Sequence, residues 1–420
     1  MNRKATTLDI LKTSNPTGKL LSLQGFSVVL HHSVDEVSRE DWQQAAPTDN
    51  LFLQLDYLSV VEKHPPKGMQ FCYLLFYKDR LPVGVSSCQI QYFKADQNIN
   101  HKVSNKPPCF FSTFAKFIKG LVARKAEFNI LINGNLLLTG EHGTYFKKEY
   151  VSEQESIRIL DEALIFAHSE LDKGEKKLSG TMLKEFYEHN RKYSAEFVKN
   201  LSFIEFTVQP NMVMKMWPAW KTFDDYINSM SSKYRVRTKR AFKKGADFEK
   251  REFDAAMIEA NQDRLYELYL GIAEDSGFNM VNLNKNYLLA LKQKFPERFK
   301  LTGYYLEGKL VGYYTTILNS TELEAHFLGF EQSLNRDYQI YHNILYDIVK
   351  EGIRQEVSKI IFARTAMEIK SSVGAVAEEM YCYIRARSSL TNKFVKPILE
   401  YLRPDHQWEP RHPFKTDSPH

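Results

Sequence analysis

Phe299 to Glu378 reads FKLTGYYLEGKLVGYYTTILNSTELEAHFLGFEQSLNRDYQIYHNILYDIVKEGIRQEVSKIIFARTAMEIKSSVGAVAE. Lys300 to Leu306 and Leu310 to Leu318 are alternating apolar runs around Glu307-Gly308-Lys309, which predicts a β-hairpin. A third strand is expected at Glu322 to Gly329. A loop then leads to a helix from about Tyr338 to Gln355, where Tyr341, Ile344, Leu345, Ile348 and Ile353 recur near helical spacing. A short β-branched strand at Lys359 to Ala363, a helix near Ala366 to Val373 and a strand at Met380 to Ala386 complete the unit. Periodicity alone gives a mixed α/β domain.

The same unit is written a second time. Met69 to Tyr77 and Leu81 to Tyr92 form another predicted hairpin around Lys78-Asp79-Arg80. YLLFYKDRLPVGVSSCQ (Tyr73 to Gln89) lies over LTGYYLEGKLVGYYTTI (Leu301 to Ile317) without a gap, and Gly84 falls on Gly312, an offset of 228 (312 − 84). A strand at Phe128 to Leu138 and a helix at Glu153 to His168 follow, in the order found after the later hairpin. A repeat of order as well as of sequence is what a duplicated domain leaves behind.

Around these copies lie less regular segments. GFSVVLHH opens a strand, Asn50 to Glu62 reads as an amphipathic helix stopped by His64-Pro65-Pro66, and Ile99 to Ala123 is basic and aromatic without a period. Phe203 to Val208 and Met212 to Met216 are short strands, and the domain boundary is placed between Pro210 and Thr222. Thr222 to Gly245 is a helix with an N-cap threonine, Asp224 and Asp225 in its first turn and a terminating glycine. A second helix is expected at Ala255 to Asp275. The resulting layout is a flexible lead-in at 1–25, an N-terminal domain at 26–212, a C-terminal domain at 213–402, and a disordered tail at 403–420.

The order of three antiparallel strands, helix, strand, helix, strand resembles the GNAT (GCN5-related) N-acyltransferases. The tandem layout is similar to the Fem-type peptidyltransferases, which carry two such domains, and SSKYRVRTKRA (Ser231 to Ala241) is similar to a run in predicted peptidoglycan and lipid N-acyltransferases. The resemblance implies an α/β (α+β) fold of tandem GNAT-like domains with mostly antiparallel sheets flanked by helices. It implies transfer of an acyl group to the amino group of a lipid, amino acid or cell-wall precursor; a long chain is favoured over acetyl because the segment in place of the family's phosphate loop lacks glycine and aromatics are abundant (Phe 28, Tyr 23). No permanent cofactor is implied; acyl-CoA or an acyl carrier protein is the co-substrate. Two readings stand beside it: a Fem-like peptidyltransferase using aminoacyl-tRNA, and a non-catalytic module that binds an anionic lipid or glycan.

Composition is consistent with an ordinary globular chain of two or three domains: 420 residues, with 43% hydrophobic and 13% aromatic residues, enough to build cores. Cys72, Cys88, Cys109 and Cys382 are scattered, without CxxC or nearby histidines, so neither a zinc site nor a disulfide framework is expected. No run approaches the ~18 apolar residues that span a bilayer. A cytoplasmic protein is expected, with peripheral contact at the inner face of an anionic membrane left open. No Ser-His-Asp set, metal cluster or Walker loop is visible.

Candidate site residues fall in four places. In GNAT enzymes a glycine-rich loop after the fourth strand holds the coenzyme A pyrophosphate; here the matching segment QSLNRDYQIYH keeps Gln332 and Arg336 but has no glycine. Lys233, Arg237, Arg240 and Lys244 recur at i, i+4, i+7 and i+11 within a run of seven basic and no acidic residues, Lys233 to Lys244. That stripe is either an anion-binding face or a solvated one. Glu141 and His142, between Gly140 and Gly143, are a candidate base and its orienting partner, or an ordinary polar turn. Arg364, Glu368 and Lys370 follow the last parallel-type strand, where open sheets place ligands, with Glu368 as candidate base and the two cations as anion binders. Glu324 and His326 alternate with Ala325 and Phe327, so one of these pairs faces a cleft and the alternation does not say which.

Overall fold

The chain builds two sheets and exchanges a strand between them. The computed structural model describes residues 18–23, 25–94, 127–173, 177–273, 281–402 and 408–415. Eight strands come from the first half: β1 (Lys19–Leu23), β2 (Phe26–His31), β3 (Met69–Lys78), β4 (Leu81–Lys94), β5 (Glu127–Asn133), β6 (Thr144–Phe146), β7 (Gly180–Tyr187) and β8 (Ile204–Thr207). Then follow β9 (Asn211–Lys215), β10 (Glu249–Glu252), β11 (Phe299–Leu306), β12 (Lys309–Asn319), β13 (Glu322–Phe330), β14 (Lys359–Ile361), β15 (Val376–Glu378) and β16 (Met380–Ala386).

The first sheet runs β1-β2-β3-β4-β5-β7-β16-β8 with β6 beside β4, and the second runs β10-β11-β12-β13-β14-β9-β15. Thus β16, expected to finish the second unit, lies between β7 and β8 of the first sheet, and β9 lies between β14 and β15 of the second. In each sheet the strand that follows the main helix pairs in parallel with the third strand of the meander: β7 with β5 and β14 with β13. Parallel neighbours need a crossover, and the helices Glu153–Leu171 and Ile340–Arg354 supply it.

The duplication is visible in fine detail. Register slips between Phe76 and Tyr77 in one hairpin and between Tyr304 and Tyr305 in the other, positions 228 apart. The turn residues Asp79 and Arg80 have φ of 48° and 70°, and their counterparts Glu307 and Gly308 have 51° and 78°. Both turns are therefore of the type whose twist suits a two-residue hairpin. Gly84 and Gly312 also agree, because a Cβ at either would come within 2.4 Å of Phe146 or 2.7 Å of Ile340.

Three apolar clusters hold the molecule. One covers the first sheet with the helix Glu153–Leu171, through Ile157, Leu160 and Leu164. Another covers the second sheet with Ile340–Arg354, through Ile344, Leu345 and Ile348. The third joins the halves: Tyr57, Leu58 and Val61 of the helix Leu55–Lys63 pack with Tyr287, Leu288 and Leu291 of the helix Tyr287–Lys294.

Several local expectations need correction. The lead-in 1–25 is a strand over Lys19–Leu23, because its alternating KLLSL pairs along the edge of β2. The helix expected over Thr222 to Gly245 is two, Phe223–Ser229 and Ser232–Lys244, with the Thr222 cap and the Gly245 terminus as read. The break at Met230 admits the tail: Met230 bridges Phe414, and Ser231 N–H donates to the Pro413 carbonyl at 2.8 Å. The tail expected to be disordered is thus fixed over residues 408–415, with Phe414 against Trp217 and Trp220 at 4.8 and 5.3 Å. The Ala255–Asp275 helix divides at Asn261 into Ala255–Ala260 and Gln262–Ala273. Residues of Ile99 to Ala123, with Cys109, lie outside the described ones; Cys72, Cys88 and Cys382 are buried free thiols.

Candidate active site between the halves

In both sheets the parallel pair separates after a few residues. β5 and β7 stay paired only from Ile130↔Gly180 to Asn133↔Leu183, and β13 and β14 only from Glu322↔Lys359 to Glu324↔Ile361. Two residues past the last pair, Glu185 and Ala363 hold left-handed φ angles of 59° and 57°. A non-glycine residue in that region is costly and marks a backbone fixed by its surroundings.

The first opening is filled by its own chain. The Lys184 ammonium donates to the Leu138 carbonyl at 2.8 Å, Gly140 N–H donates to Glu185 at 2.8 Å, and Tyr187 N–H donates to Glu141 at 2.7 Å. The Glu141 carboxylate also accepts from Asn190 at 2.7 Å, so it pins the loop to β7 and does not orient His142. The second opening has no such stitching among the described residues. Past Glu324, β13 has no strand beside it on the β14 edge.

Glu324 is the residue that the second opening presents. Leu323 and Ala325 pack into the core under Ile340–Arg354, which turns Glu324 and His326 to the opposite face, toward the first half. A register shift opposite Tyr314 to Thr316 brings Phe327 to that face as well, against Tyr287. The side chain of Glu324 is buried at 4% exposure, and among the described residues no hydrogen-bond donor reaches its carboxyl. Burial pushes its pKa well above the usual carboxylate range; Glu322 adds to this, and Lys359 opposes it. Lys359 itself pairs with Glu322 at 2.8 Å.

The first half supplies the facing wall. The Tyr187 hydroxyl accepts from Asn211 at 3.1 Å, and its pKa is raised by burial and then by Glu324. His142 sits edge-on to Phe52 at 4.8 Å, with Asn50 Nδ2 at 3.5 Å from Nδ1. Burial, then the nearby Lys184, pushes His142 down to about 4, so it is neutral at physiological pH and a weak base. Gly140, at φ 116°, makes room for both side chains: its missing Cβ would lie 3.1 Å from the Tyr187 hydroxyl and 3.2 Å from His142 Nε2. His326, held at about 3 by burial alone, bonds Tyr287 at 2.9 Å.

Beside this wall lies a buried ionic group. Glu185 is wholly buried between Lys184 and Arg364, whose Nη1 is 2.8 Å away across the seam. Burial raises its pKa, but the two cations outweigh that and keep it ionised. Lys370 is buried too, donating to the Ala363 and Arg364 carbonyls, and burial followed by Arg364 lowers it to about 7. Its hydrogen bonds hold the loop in which Ala363, Thr365 and Ala366 all have positive φ.

The remaining candidates lie elsewhere. Glu368 is half exposed and paired with Arg411 of the tail, away from the buried cluster. The glycine-free QSLNRDYQIYH segment is not a loop but the helix Gln332–Tyr338 followed by Ile340 onward. The Gln332 amide is engaged by the Gly271 carbonyl at 2.7 Å, and Glu331, paired with Lys309 at 2.8 Å and with Arg264, places a carboxylate at that helix start. A phosphate there would meet like charge. Arg336 is exposed, and its carbonyl accepts from Lys244 at 3.0 Å. Lys233, Arg237 and Arg240 are exposed on Ser232–Lys244, whose Tyr234, Thr238 and Ala241 face inward.

The structure thus unites Glu324, Lys359, Tyr187 and His142, and separates Glu368 from His142. Glu324 was legible as one of two alternatives on its strand. Tyr187 and Lys359 carried no sequence signal, because they stand alone on strands distant in the chain.

No family model matches the sequence, and a search of curated proteins finds no match. Solved structures do match. FemX superposes with a TM-score of 0.52 at 12% identity, covering 87% of this chain and 99% of that one. A tandem GNAT protein from the clavulanic acid biosynthesis pathway gives 0.48 at 8% identity, covering 86% and 99%. L-PGS from Bacillus licheniformis gives 0.43 at 11% identity, covering 82% and 94%. The FemX match gives the fold: two tandem GNAT-like units of Fem type.

Proposed function

We propose that this tandem GNAT-like, Fem-type fold is an N-acyltransferase. It takes an acyl group from a coenzyme A thioester or an acyl carrier protein and forms an amide on the amino group of a lipid, amino acid or cell-wall precursor. The observation that carries the reading is Glu324, a buried carboxyl that no donor reaches among the described residues, at the point where β13 and β14 part.

An amine arrives as an ammonium ion and must lose a proton before it can attack. Without a positive charge beside it, burial favours the protonated form of Glu324. An ammonium entering beside it favours the carboxylate instead, so binding of the acceptor switches on its own base. The freed nitrogen attacks the acyl carbonyl, and the unpaired edge of β13 offers backbone N–H groups to the oxygen that becomes negative. The carbon–sulfur bond then breaks, the thiolate leaves with the electron pair, and the second proton shed by the nitrogen passes to that thiolate. Tyr187 and His142, both neutral, wall the site without competing for the proton.

A second reading, an aminoacyl-tRNA donor, is supported by the seven cations between Lys233 and Lys244, which exceed what one pyrophosphate needs. The same face supports peripheral contact with an anionic membrane. No helix among the described residues is long and apolar enough to cross one.

The test is incubation of the purified protein, separately, with acetyl-CoA, long-chain acyl-CoA, acylated carrier protein and aminoacyl-tRNA, read by mass spectrometry with a panel of amines. Amide formation from a long-chain thioester, lost in Glu324→Gln, is expected. Transfer from aminoacyl-tRNA alone would move the assignment to the second reading. Folded protein that captures no donor would replace both with a binding module.

A further inference from the structure

β9 borders β14 on the side away from β13, so it stands on the far bank of the opening at Glu324. Its register sets Val213 opposite Ile361, which is itself opposite Glu324. Met212 and Met214 pack under Ile340–Arg354. Alternation along the strand therefore turns Val213 and Asn211 to the other face, the one that Glu324 shares. Because β9 runs antiparallel to β14, Asn211 lies beyond the point where β13 and β14 part.

Asn211 is wholly buried, yet its amide is only half used. Nδ2 donates to the Tyr187 hydroxyl at 3.1 Å, and among the described residues nothing donates to Oδ1. A buried acceptor without a donor costs about 1–3 kcal/mol, and native folds rarely keep one without a use. Glu324 is the second buried acceptor on this face that no donor reaches among the described residues. Tyr187 links the two: its hydroxyl bonds Asn211, and Glu324 is close enough to add to the rise that burial causes in its pKa.

Two acceptors at one opening call for a ligand that only donates. A carbonyl or phosphate oxygen would meet like partial charge, and an alcohol has one O–H for two acceptors. A metal ion takes more ligands than two oxygens, and among the described residues no three His, Cys, Asp or Glu stand together. A primary ammonium carries three N–H donors and a charge that suits the carboxylate.

We infer that Asn211 is a specificity-determining residue for the acceptor, its Oδ1 taking one N–H of a primary ammonium while another N–H meets Glu324. The inference rests on the N-acyltransferase reading and deepens it by naming the acceptor class. Two protons of a primary ammonium leave during transfer, one to Glu324 and one to the thiolate. The third stays on the amide nitrogen, so Asn211 holds the same N–H from substrate to product. A secondary amine would lose both of its N–H protons and leave Oδ1 without a donor.

The experiment titrates the full chain by calorimetry at neutral pH with hexylamine, N-methylhexylamine and N,N-dimethylhexylamine. The three carry the same charge and have three, two and one N–H. The dimethyl compound should bind about tenfold more weakly than hexylamine, the worth of one buried hydrogen bond left unmade. Asn211→Leu should erase that difference by weakening hexylamine, whereas Asn211→Asp, which keeps Oδ1, should retain it. Absence of hexylamine binding, equal binding of the three amines, or an undiminished difference in Asn211→Leu overturns the inference. So does loss of hexylamine binding in Asn211→Asp. If Asn211→Leu does not fold, Tyr187→Phe takes its place: the amide loses the hydroxyl that holds Nδ2, so the difference should shrink, and an unchanged one overturns the inference. Acylation of hexylamine by palmitoyl-CoA, run in parallel, separates the two claims. If that transfer proceeds and needs Glu324 while the amine preference ignores Asn211, this inference alone fails; if the preference follows Asn211 and nothing is transferred, the chemistry alone fails.

Discussion

The hydroxyls of Tyr57 and Tyr287 meet 3.2 Å apart in the core between the two halves. Each tyrosine lies on the helix that precedes its own hairpin, so the contact is made by corresponding parts of the two copies. Asn135 donates to Tyr57 at 3.4 Å, and Tyr287 bonds His326 at 2.9 Å, which extends the link from one opening to the other. Both tyrosines are wholly buried, so neither hydroxyl has water as a substitute partner.

Tyr57→Phe and Tyr287→Phe should each cost about 1–3 kcal/mol, because each leaves a buried polar partner short of a bond. The double variant should cost less than the sum, since no orphan hydroxyl remains at the contact. Urea unfolding of the four proteins measures the coupling; strict additivity would mean that the hydroxyls do not interact.

Glu324→Gln should lower kcat by about 10²–10⁴ through loss of the base, with KM for the donor little changed. Its effect on stability runs the other way. A carboxyl whose pKa is raised by folding favours the native state fully below its unfolded value and loses that contribution as pH rises through the folded one. The variant should therefore be more stable than the wild type at neutral pH and match it below about pH 4. Paired denaturation curves across pH 4 to 8 provide the check.

Phe414→Ala should destabilise by about 2 kcal/mol, the worth of a largely buried aromatic ring. The ring closes the cluster of Trp217, Trp220 and Tyr226, so tryptophan fluorescence should shift to the red in the native state. An unchanged midpoint and spectrum would mean that the tail does not seat there.

Arg80 occupies a turn position with φ of 70°, where the other copy has Gly308 at 78°. Arg80→Gly should stabilise the protein by about 0.5–1 kcal/mol, because relief of left-handed strain exceeds the entropy that glycine adds to the unfolded chain. Thermal unfolding reads the sign directly, and a lower Tm would contradict it.

Much of the fold was legible because it is local. The hairpin alternation, the 228-residue offset, the Thr222 cap and the Gly245 terminus depend on neighbours along the chain, and the structure bears each of them out. The candidate site was legible only in fragments. Glu141 and His142 are adjacent in sequence, yet Glu141 bonds Tyr187 and Asn190 while His142 turns to Asn50. The basic face of Ser232–Lys244 follows from helical spacing, whereas the break at Met230 that begins this helix depends on the tail packed there.

By itself the sequence determined the two copies, their strands and main helices, and the basic face, because periodicity and capping act within a few residues. Tertiary structure decided which sheet receives β9 and β16, where Phe414 packs, and which face of β13 carries Glu324 inward. Those outcomes rest on pairing and burial between segments more than a hundred residues apart, such as β7 with β16 and Glu185 with Arg364. A strand's pattern states that one face will be buried; only its partners decide against what.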